Sequence, residues 1–132
     1  MKTLTIYAAT LLVFIGVDFI WLGRMGDAFY RPAMGGMAAD GFKLGPAVVF
    51  YLLYAFGILF FAVNPALAAG NWKIATLHGA LLGLVGYGVY DLTNMATLKS
   101  WPLSLTLVDL AWGVVLTGLA ALAGYAAGAR FA

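Results

Sequence analysis

The sequence contains no cysteine and no glutamate, and its only histidine is His78. Without cysteine there are no disulfides and no thiolate-held metals. Charge is equally scarce. Asp, Glu, Lys and Arg make up 9% of the 132 residues, against about 25% in ordinary soluble domains. Seven basic and five acidic side chains cannot clothe a water-exposed surface of this size. A soluble globular domain, a disordered tail and a nucleic-acid-binding module are therefore excluded. What fills the space is apolar: residues of the AVILMFWYC set reach 64%. An integral membrane protein is the class that remains, with the lipid bilayer as its first partner.

Four apolar segments run from about Leu4 to Gly23, Gly45 to Val63, Ile74 to Ala96 and Leu103 to Ala127. Each approaches the roughly 20 residues needed to cross a hydrocarbon core. With no water there to satisfy the backbone, the segments read as helices, and they lack the alternation of a membrane barrel. Arg31-Pro32, Gly35-Gly36, Asn64-Pro65 and Trp101-Pro102 are the expected breaks. The expected fold is an all-α bundle of four transmembrane helices in one domain, with both termini on one side. The first segment resembles a secretory signal, but Asp18 and Trp21 interrupt it and no A-x-A site follows, so it reads as a retained helix.

Lys2, Lys73 and Arg130 fall on the side of the termini, and Arg24, Arg31, Lys43 and Lys99 on the other. Such an even split does not orient the chain. The stretch 24–43, which includes Asp27 and Asp40, reads as a loop. Its Phe29, Tyr30 and Met34 suit either a segment lying on the membrane surface or a flexible connector.

Asp18, Asp91 and Asp109 lie inside the expected spans. A charged residue at mid-membrane costs about 2.5–3.5 kcal/mol on insertion scales, so such residues face the bundle interior and mark a candidate site. Counted from the helix ends, all three sit roughly 9–12 Å below the surface opposite the termini. Tyr51, Tyr54, Tyr90, Asn94 and Trp112 share that level. Trp21 stands three residues after Asp18 and Trp112 three after Asp109, each on the same helix face as its acid. Three carboxylates close together cannot all stay ionised without a cation. Such a set could move protons, hold a metal or organic cation, or act as acid and base. It could equally lock the bundle, through inward-reaching Arg24, Arg31 or Lys99 or through bonds to Tyr and Trp. No metal site is assigned, and no cofactor can be named.

His78 is roughly 20 Å along its helix from Asp91 and cannot join the acids. It reads as a hydrogen-bonded interfacial residue; a pigment or haem ligand is the alternative. Gly79-x-x-x-Gly83 and Ala120-x-x-x-Gly124-x-x-x-Gly128 permit close helix packing, within the chain or between chains. Trp21, Trp72 and Trp101 fall at span ends, as an interfacial aromatic belt would.

Several stretches resemble the bacterial membrane proteins grouped as domain of unknown function 2177. They are Val17-Asp18-Phe19-Ile20-Trp21-Leu22-Gly23, Phe50-Tyr51-Leu52-Leu53-Tyr54 and Asn64-Pro65-Ala66-Leu67. The run continues with Tyr90-Asp91-Leu92-Thr93-Asn94, Trp101-Pro102 and Val108-Asp109-Leu110-Ala111-Trp112-Gly113. The resemblance covers nearly the whole chain and includes all three span acids. It implies a compact four-helix protein of the bacterial inner membrane and assigns no activity.

Three functional classes follow. One is a small module that binds or moves a proton, cation or amphipathic ligand at the acids. The second is a non-catalytic accessory subunit of a larger membrane complex, or a homo-oligomer. The third is a lipid-modifying enzyme, for which no nucleophile–base pair is visible.

Overall fold

The computed structural model describes residues 2–37 and 43–131. They form four long helices, with no strand among the described residues. The helices are α1 (Lys2–Met34), α2 (Leu44–Ala69), α3 (Trp72–Thr97) and α4 (Leu103–Arg130). Helices α1, α2 and α4 are each long and apolar enough to cross a membrane. Helix α3 has the length, but Gly79, Gly83, Gly86 and Gly88 stand where larger apolar residues would be, and His78, Asp91 and Asn94 dilute it further. It is held instead by close packing on α4, which is how polar or small-residue helices are accommodated in bundles.

Two expected breaks do not break the chain. Pro32 and Pro65 each follow a single wide, π-helical turn, Gly26–Tyr30 and Leu59–Val63, and the helix then resumes. A proline ring clashes with the carbonyl four residues earlier and supplies no N–H to it. Widening the turn relieves that clash without ending the helix. Helix α1 therefore runs on to Met34 rather than stopping near Gly23, and α2 runs on to Ala69. Of the expected loop 24–43, only the part after Met34 connects the two helices; Asp40 lies outside the described residues. In α2 the carbonyl of Phe61 loses its usual donor to Pro65, and His78 Nδ1 lies 3.4 Å from it. A hydrogen bond there requires the tautomer with its proton on Nδ1, because a carbonyl only accepts. The lone histidine thus serves the backbone.

A left-handed glycine, Gly70 (φ 65°), ends α2, and the Asn71 side chain accepts from Lys73 N at 3.0 Å to start α3. At the end of the bundle with this turn, Ile6, Leu67 and Gly128 meet, so both termini share that end. Helix α4 is the hub. Its Gly124 and Gly128 face Thr10, Val63, Ile6 and Leu67, while its Gly113, Thr117, Gly118 and Ala121 face α3. Phe14, Ile58, Val63 and Leu116 fill the space between. Both small-residue motifs are thus used inside the chain. Large apolar residues such as Leu53, Leu77 and Val89 point outward, as lipid-facing residues do.

A methyl group added at Gly83 would fall on the Gly113 carbonyl, which two rigid backbones cannot move aside. Gly83→Ala is expected to lower stability by about 1–3 kcal/mol. Gly16→Ala, with nothing near the added carbon, should leave the transition unchanged or raise it. Thermal unfolding in mild detergent, followed by circular dichroism, checks both.

Candidate functional site

Helices α3 and α4 meet in a ladder of antiparallel pairs. Gly79 faces Ala121, Gly83 faces Thr117 and Tyr87 faces Gly113. Each rung lies four residues further along both helices. The next rung sets the carboxyl of Asp91 beside that of Asp109. Small residues hold the helices together at one end, and the Tyr87 ring lies directly over Gly113. The acid pair follows where the bundle opens.

The opening is a cavity of about 860 Å³ lined by residues of all four helices. That volume lies within the usual range for small-molecule sites. Asp18, Tyr54, Tyr90, Asp91, Asp109 and Trp112 line it, so six of the eight expected residues converge. Tyr51 does not line the cavity and reaches it only through its bond to Asp18. Asn94 lies one turn beyond Tyr90, within reach of its hydroxyl, and does not line the cavity.

The three acids have different surroundings. Asp18, 6% exposed, accepts from the Tyr51 hydroxyl at 2.7 Å and from Trp112 Nε1 at 2.9 Å. Both its oxygens are satisfied by rigid aromatic donors. Asp109 accepts from the Tyr30 hydroxyl at 2.9 Å, which in turn accepts from Trp21 Nε1 at 3.0 Å. Trp21 stacks on Trp112 with centroids 4.3 Å apart and planes 8° from parallel, joining the two networks. Asp91 is 0% exposed, and neither of its oxygens forms a hydrogen bond of ordinary geometry. Trp101 Nε1 is buried and unpartnered as well; the ring packs edge-on against Tyr90, 5.8 Å between centroids. Buried polar atoms are nearly always paired, so an unpaired acceptor and donor in one cavity wall call for an explanation.

Arg31 pairs with Asp27 at 3.7 Å and, with Met34 and Lys43, forms the rim opposite the termini. Among the described residues, no three carboxylate or imidazole groups come close enough to share a metal ion. Asp91 and Asp109 are the acids in contact, while Asp18, near enough to Asp109 to feel its charge, is bonded to Tyr51 and Trp112.

Sequence reasoning missed Tyr30, Tyr87 and Trp101, and set Trp21 on the Asp18 face without counting it among the site residues. Tyr30 was expected in a loop, yet the wide turn before Pro32 keeps the chain helical and swings the ring back over Asp109. Trp21 and Trp101 were expected in an interfacial belt, but both line the cavity. Trp72 is 52% exposed near the other end, as a belt residue would be. For Trp21 a signal existed, since it lies three residues after Asp18. For Tyr87 the signal was its spacing of four from both Gly83 and Asp91.

A family model described as predicted membrane protein (DUF2177) matches residues 3–126. The chain belongs to that family, and it sits in a lipid bilayer. No curated protein and no solved structure matches it.

Tyr51→Phe or Trp112→Phe each removes one donor from a buried carboxylate and is expected to cost about 1.5–3 kcal/mol. The double variant should depart from additivity, because both donors serve one group. Unfolding in detergent of the four members of the cycle measures it.

Proposed function

We propose that this member of the family is a small membrane module that takes up a cationic, amine-bearing amphipath in the cavity between its four helices. The observation that carries the reading is Asp91: fully buried in the cavity wall, and met by the Asp109 carboxyl rather than by a tyrosine, tryptophan or amide donor. Two carboxyls in contact in a low-dielectric interior hold at most one negative charge unless a cation joins them. An ammonium group supplies both the charge and the N–H donors that Asp91 lacks. The aromatic walls from Tyr54, Tyr90, Trp101 and Trp112 suit the same guest, since ring faces attract cations. Asp18 and Asp109 are held by tyrosine and tryptophan, so their part is to set the walls and the local charge. The setting is the bacterial inner membrane that the family resemblance implies.

The accessory-subunit reading drew on stripes of small residues, and those stripes pack inside the chain. The enzyme reading has the hydroxyls of Tyr51 and Tyr30 beside Asp18 and Asp109, but both serve as donors that hold the carboxylates in place.

Titration of the purified protein in mild detergent with n-octylamine, followed calorimetrically, tests the proposal. Saturable binding is expected, and Asp91→Asn should weaken it by about tenfold or more, a change of ~1.4 kcal/mol. The fold should persist, because an amide carries no buried charge to compensate. Equal binding by the variant would overturn the assignment.

A further inference from the structure

The stretch Leu44–Ile58 of α2 and helix α3 do not pack closely on each other, and both line the cavity. Phe50 on α2 and Tyr90 on α3 both line the cavity, and they are 42% and 54% exposed. The stretch Leu44–Ile58 of α2 packs on α1, whereas α3 packs on α4. Between α2 and α3 the gap closes at Tyr54. Its ring lies against Gly86, where an added carbon would come within 3.2 Å of Cε1, and its hydroxyl is fixed by Thr117 at 2.9 Å. Nearer the termini the wide turn Leu59–Val63 seals against α3. Tyr54 is thus the sill of a side portal, with Phe50 and Tyr90 as its posts.

Resting on the reading above, we infer that the guest is a long-chain primary amine that enters from the bilayer, with its ammonium at Asp91 and its hydrocarbon chain leaving between Phe50 and Tyr90. The other opening, at the water-facing rim, carries Lys43 beside the Arg31–Asp27 ion pair, a positive balance that disfavours a cation arriving from solution. The portal is apolar and opens at the depth where alkyl chains lie. Head and chain therefore find matching surroundings on one path: a paired acid inside, hydrocarbon outside.

The test uses the intact protein in phosphatidylcholine vesicles, with a long-chain primary amine carrying a photoactivatable diazirine at mid-chain. Crosslinked residues are mapped by peptide mass spectrometry. The expected labels fall on 50–54 and 86–90, and drop about tenfold when the same chain carries a carboxylate head or when Asp91→Asn is used. Labels that depend on Asp91 but fall at Arg31, Met34 and Lys43 would overturn the portal and leave the cation site standing. Labelling that ignores the head group, or survives Asp91→Asn in a variant with an unchanged thermal transition, would overturn both.

Discussion

The approach of two helix backbones at Gly83 and Gly113 is the constraint on which the rest depends. No side chain stands between them, so α3 and α4 touch along a seam and their register cannot slide without a collision. In a bilayer, apolar side chains gain little by leaving lipid for protein, and close van der Waals packing is what holds helices together. The seam also explains why α3, too poor in apolar residues to qualify as a span by composition, stays in place. It is anchored by α4, which in turn is gripped by α1 and α2 through Gly124 and Gly128.

That register decides the chemistry at the far end. The same four-residue steps that set glycine against alanine and threonine set Asp91 against Asp109. An acid pair of this kind is costly in a dry interior unless something offsets its charge. The protein supplies donors unevenly. Asp18 has two and Asp109 has one, while Asp91 has none of good geometry. The stacked Trp21 and Trp112 make the donor network stiff, since neither ring can turn without breaking a bond to Tyr30 or Asp18. Among the three acids the unmet need thus falls on Asp91, in the wall of the cavity.

The two inner prolines act in the same direction. Each would end a helix in water; in lipid, ending a helix would strand backbone groups. A wide turn keeps the helix going, and each such turn places something useful. The first brings Tyr30 over Asp109. The second exposes the Phe61 carbonyl to His78 and packs Leu59–Val63 against α3, closing the cavity below Tyr54.

Composition and hydropathy alone determined the class, the number of long helices and the shared end of the termini, because hydrocarbon leaves the backbone few alternatives. Insertion cost alone marked Asp18, Asp91 and Asp109, and counting along the helices put them at one depth. Depth is a property of one helix at a time, so it is legible in a sequence. Which acids touch is a property of two helices and their register, and only packing sets it. That is why Asp91 and Asp109 touch while Asp18 is bonded to Tyr51 and Trp112 instead. The same limit hid Tyr30 and Trp101. A proline was read as a break and a terminal tryptophan as a belt, since both readings follow from local rules. Their true places depend on a widened turn and on the space left where α2 and α3 part, which no local pattern encodes.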